Sequence, residues 1–106
     1  MFGLIDRDIQ YINIALAKFD EIEYGIIFGS RAMGNYKKGS DIDIAIKGEG
    51  ITSKTLFKLS DLLNEEYPLP YFFDLIHYEA ISNNNLKAHI DKEGKKIYEA
   101  NSFNYG

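Results

Sequence analysis

From Asp41 to Ile46 the chain reads Asp-Ile-Asp-Ile-Ala-Ile, and this stretch leaves little choice of conformation. A two-residue period belongs to a strand with one buried face. Ile42, Ile44 and Ile46 go to that face, and Asp41 and Asp43 project together from the other. Carboxylates about 7 Å apart along a strand repel each other unless something positive lies between them. A divalent cation meets that need, and hard oxygen donors with room for water favour Mg²⁺. A bare Asp-x-Asp is also compatible with a solvated strand face or a turn, so a second feature has to decide its meaning.

That feature lies upstream. Tyr24 to Phe28 is a short aromatic and β-branched run that reads as a strand, and Gly29-Ser30 follows where it ends. Glycine at such a point lets the backbone approach a ligand closely. The Ser30 hydroxyl and neighbouring amides can donate to phosphate oxygens if residues 30–34 begin a helical turn. Ten residues join this pair to the Asp-x-Asp strand.

The flanking chain supplies a scaffold. Ile5, Ile9, Ile12, Leu16 and Phe19 fall at steps of four and three, which predicts an amphipathic helix over residues 4–19 covering one face of a sheet. A helix is expected from an N-cap at Ser53 to about Tyr67, with Leu56, Leu59, Leu62 and Leu63 inward and Pro68 as its stop. Tyr71 to His77 reads as a third strand. Its single acid, Asp74, stands among Phe72, Phe73, Leu75 and Ile76, where a carboxylate is costly unless it is paired, bound to metal or able to reach water; Arg31 is one available partner. A short helix over about 85–93 with Gly94 as its C′ residue and a short strand over 96–100 complete the pattern. Residues 101–106 read as a frayed tail.

Composition narrows the class. A length of 106 residues suits one compact domain over 1–106, and 45% hydrophobic residues suffice for a core without staples. With no cysteine, disulfides and thiolate chemistry are excluded. No apolar run reaches membrane-span length, so a cytoplasmic protein away from membranes is expected. A net charge of −4 argues against an extended nucleic-acid surface, although bound metal would reverse the sign locally for a nucleotide triphosphate.

Gly29-Ser30-Arg31-Ala32-x-Gly34 followed by Ser40-Asp41-Ile42-Asp43-Ile44-Ala45-Ile46 resembles the nucleotidyltransferase superfamily that shares its palm with DNA polymerase beta. The closer form looks like its minimal nucleotidyltransferase (MNT) branch, small single-domain proteins often encoded beside a helical HEPN protein. The resemblance implies a two-layer α+β fold, a small mixed β-sheet covered by helices in the manner of a nucleotidyltransferase palm.

It also implies a site. Asp41, Asp43 and Asp74 would be the catalytic, metal-binding carboxylates for two Mg²⁺, with Asp74 on the nucleophile side only. Gly29 and Ser30 would hold the β- and γ-phosphates of ATP. Arg31, beside them, could brace a phosphate or hold a carboxylate. The reaction implied is transfer of NMP, with AMP from ATP the leading case, to a hydroxyl acceptor. The leading acceptor is a HEPN-type toxin, which would make the chain an antitoxin and leave room for a homo- or hetero-oligomer. Two rival readings are a nucleotide-binding antitoxin or assembly subunit acting by contact, and a transferase for a small molecule or RNA end. Lys37, Lys38 and Tyr36 border the proposed phosphate site, while His77 and His89 are read as ordinary surface or strand-end residues.

Overall fold

The computed structural model describes residues 4–34 and 41–100; the expectations for Tyr36, Lys37, Lys38 and the tail at 101–106 lie outside them. Helix α1 spans Asp6–Ala17, strand β1 Tyr24–Phe28, the short helix α2 Ser30–Met33 and strand β2 Ile42–Lys47. Helix α3, Ser53–Asp61, continues into a π turn over Leu62–Glu66, and β3 follows at Phe73–His77. Helix α4, Asn84–Glu93, and β4, Lys95–Glu99, end the described chain.

The strands form one mixed sheet in the order β3-β2-β1-β4. β1 is antiparallel to both β2 and β4, whereas β2 and β3 are parallel. Parallel neighbours need a long crossover, and α3 with its π turn supplies it.

The alternation in β2 does what its period demands. Ile42, Ile44 and Ile46 are fully buried with Ile27 of β1 and Phe73 of β3, against Ile12 and Leu16 of α1 and Leu59 and Leu63 from the crossover. Gly25 lets α1 approach β1, since a Cβ there would lie 2.7 Å from Leu16 Cδ1. The other face of β1 takes α4. Gly94, just after that helix, is required for closeness and not for a left-handed backbone: its φ is −64°, but a Cβ would meet Ile90 O at 2.4 Å and Ile26 Cγ2 at 2.6 Å. Helices therefore flank both faces of the sheet, α1 and α3 on one and α4 on the other.

Local departures from the sequence reading have simple causes. Thr52, not Ser53, caps α3, because its hydroxyl accepts from Thr55 N while Thr55 Oγ1 accepts from Thr52 N. Ile5 is 60% exposed and lies outside the buried stripe of α1, since that helix begins only at Asp6. Asp8 is buried instead, accepting from Ile5 N and from the Tyr71 hydroxyl. Among the described residues no helix is long and apolar enough to cross a membrane.

Candidate active site

The strand directions bring distant parts of the sequence to one end of the sheet. β1 finishes where β2 begins, and β3, parallel to β2, begins there too. Phe28 pairs with Asp43 across β1 and β2, and Asp43 pairs with Asp74 across β2 and β3. Register partners share a face, so Asp43 and Asp74 point to the same side. Asp41, one residue ahead of β2 and exposed, continues that row.

Electrostatics follow from this row. Asp43 is half-buried, and its pKa is pushed above the ordinary carboxylate value by burial first, then by the charges of Asp74 and Asp41. Among the described residues no three His, Cys, Asp or Glu side chains stand close enough to hold a metal ion between them, so the three acids form a row and not a finished cage. An all-oxygen donor set on one strand end still fits Mg²⁺, which takes one or two carboxylates and completes its shell with water and substrate phosphate.

Gly29 is built against this row. Its φ of +77° with ψ of −154° is a backbone that only glycine adopts readily, and a Cβ would lie 2.5 Å from Asp43 Oδ2. The turn therefore presses main chain onto the Asp43 carboxylate. Ser30 opens α2 directly after it, and Met33 N donates to Gly29 O at 3.2 Å.

Arg31 occupies a different environment. Its residue is 3% exposed, with the guanidinium carbon 5.2 Å from the centre of the Tyr71 ring, whose hydroxyl donates to Asp8 at 3.1 Å. Arg31 thus ties α2 to the segment entering β3.

Two residues at the site escape a reading by motif. Asn64, in the π turn, grips the first residue of β3: its Oδ1 accepts from Phe73 N at 2.7 Å and its Nδ2 donates to Phe73 O at 3.1 Å. His89 of α4 is no ordinary surface residue, because its Nε2 accepts from Gly29 N at 3.1 Å and its ring meets Phe28 edge-on, 6.3 Å between centres. A faint signal existed for each. His89 falls on the inner stripe of α4 with Leu86 and Ile90, and Asn64 lies beside Leu63 on the inner side of the crossover. His77, by contrast, closes β3 at the far end beside Glu79, as a strand-end residue.

A mixed sheet that presents a glycine-serine turn and a row of acids at one end has the fold of the nucleotidyltransferases. The chain belongs to the polymerase beta nucleotidyltransferase family: the family model described as "Polymerase beta, Nucleotidyltransferase" matches residues 10–103. Two solved structures share this fold. One is a toxin–antitoxin with AMP-PNP, 21% identical with a TM-score of 0.70, covering 91% of this chain and 74% of that one. The other is a double mutant of the toxin–antitoxin MntA-HpeT, 18% identical with a TM-score of 0.67 over the same shares of 91% and 74%. A search of the curated proteins finds no match.

Proposed function

We propose that the chain is a Mg²⁺-dependent nucleotidyltransferase that moves AMP from ATP to a hydroxyl on a protein partner, a HEPN-type toxin that it thereby silences. The observation that carries the reading is the register pair Asp43 and Asp74, with the Gly29 turn pressed against the first of them. Structural neighbours that are toxin–antitoxin assemblies, one of them with AMP-PNP, support the choice of nucleotide and of partner.

In this reading Gly29 lets the triphosphate approach the strand end, and the Ser30 hydroxyl donates to its terminal phosphates. Asp41, Asp43 and Asp74 would hold the metal, which supplies charge neutralisation at the triphosphate and lowers the pKa of the attacking hydroxyl. The acceptor oxygen forms a bond to the α-phosphorus while the bond from that phosphorus to the bridging oxygen breaks, and pyrophosphate leaves with the electron pair. Asp74 takes the hydroxyl proton. Its exposure suits a group that must reach an acceptor arriving from another molecule.

The test is label transfer from ATP labelled at the α-phosphate, with Mg²⁺ and the protein encoded beside this one, comparing wild type with Asp41→Ala/Asp43→Ala. Label on the partner that vanishes in the variant supports the reading. Neutralisation of an unlabelled partner by the Asp41→Ala/Asp43→Ala variant would move the assignment to an antitoxin acting by contact, and label on a small molecule or RNA would replace the acceptor.

A further inference from the structure

The Gly29 peptide is held from two sides. On one side stands the Asp43 carboxylate, where a Cβ on Gly29 would lie 2.5 Å from Oδ2. On the other is His89, sixty residues later in the chain, accepting the Gly29 N–H on Nε2 at 3.1 Å. To accept there the imidazole must be neutral at Nε2 and carry its proton on Nδ1. The ring is seated edge-on against Phe28, the residue before Gly29 and the register partner of Asp43. α4 is itself fixed to β1, through the close approach of Gly94 to Ile26.

We propose that His89 is a positioning residue of the nucleotide site, whose neutral imidazole locks the Gly29 peptide in the orientation that presents Ser30 to the triphosphate. This rests on the nucleotidyltransferase reading above. The Gly29 N–H is directed into the protein and leaves Ser30 as the donor of the pair. Without the acceptor, Gly29 would have a broad choice of backbone conformations, because glycine has the largest conformational freedom of any residue. Preorganisation of the turn would then have to come from the nucleotide itself, which weakens binding without removing any group that touches it.

Two substitutions separate the acceptor from the packing. His89→Phe keeps a ring against Phe28 and removes the acceptor, whereas His89→Gln offers an amide oxygen near the position of Nε2. The probe is a non-hydrolysable ATP analogue with Mg²⁺, read by calorimetry, together with hydrogen exchange and ¹⁵N shift of the Gly29 amide by NMR. Expected are loss of protection at Gly29 and about tenfold weaker analogue binding in His89→Phe, with much of both restored in His89→Gln. The thermal midpoint should move far less than the affinity. Unchanged Gly29 exchange in His89→Phe overturns the proposal, as does an Nε2 of wild-type His89 that carries a proton. Equal losses of affinity and thermal stability in both variants would make His89 a packing residue only. Wild type that binds no analogue would overturn the site reading itself, while the Gly29 amide, measured without nucleotide, still reports on the His89 bond alone.

Discussion

Asp43 and Asp74 are register partners on adjacent parallel strands, thirty-one residues apart in the chain and side by side at one end of the sheet. Burial and the charges of the two neighbouring acids raise the pKa of Asp43, so its ionised form opposes folding. The arrangement is suited to a cation and not to stability.

A consequence is that Asp43→Asn abolishes transfer yet raises the thermal midpoint of the metal-free protein. The sign follows from linkage. Below the ordinary carboxylate pKa both folded and unfolded chains hold the proton, and Asp43 contributes nothing. As pH rises from that value through the raised folded value, the unfolded chain releases its proton first, and wild type loses stability relative to the variant. Thermal melts of both proteins across acid to neutral pH, in chelator, should diverge upward through that window, and added Mg²⁺ should raise wild type alone. A variant less stable than wild type at neutral pH would contradict it.

Gly29→Ala tests the close approach at the turn. A non-glycine residue at this backbone costs about 1–3 kcal/mol, and the added Cβ displaces the Asp43 carboxylate. A drop of roughly 4–8 °C per kcal/mol in thermal midpoint is expected, with transfer down about a hundredfold, the scale of an ångström-sized misplacement. Wild-type turnover in this variant would show that the turn does not need to lie against Asp43.

Asn64 acts on Asp74 through the backbone of Phe73. Asn64→Leu leaves both Phe73 groups without their side-chain partner, at a cost of about 2–3 kcal/mol. Turnover at saturating nucleotide should fall while nucleotide affinity is kept, because only the strand carrying Asp74 loosens. Asn64→Asp, which retains the acceptor for Phe73 N, should fall between. Steady-state kinetics with separate kcat and KM would expose a loss confined to KM, the result opposed to this one.

For Arg31, burial over Tyr71 points to stability before binding. Arg31→Met is expected to cost about 2 kcal/mol through the lost stacking and packing, with KM for ATP within about twofold of wild type. A rise in KM with an unchanged melting curve would restore the guanidinium to the phosphate.

How much of this was legible in the sequence varies with the range of the forces involved. The β2 strand was legible because alternation of isoleucine with aspartate fixes both conformation and facing through the nearest neighbours alone. The Gly-Ser turn and Asp-x-Asp, with their spacing, were legible as a pattern, and the strands and helices emerged within a few residues of their observed bounds. Thr52 displaced Ser53 as a cap because two threonines at that spacing can bond each other reciprocally, a choice of partner that residue type alone leaves open.

The sequence by itself determined which isoleucines of β2 face inward and which acids lie on its other side, since these depend on local geometry and on the free energy of burying side chains. Only the tertiary structure decided that Asp74 stands beside Asp43, because that depends on α3 and its π turn returning β3 parallel to β2 in one register. It also decided that Arg31 lies over the Tyr71 ring and that His89 reaches Gly29. A histidine on an apolar helical stripe has many possible acceptors and donors. Which one it meets is set by where α4 crosses β1, a packing result that no local pattern encodes.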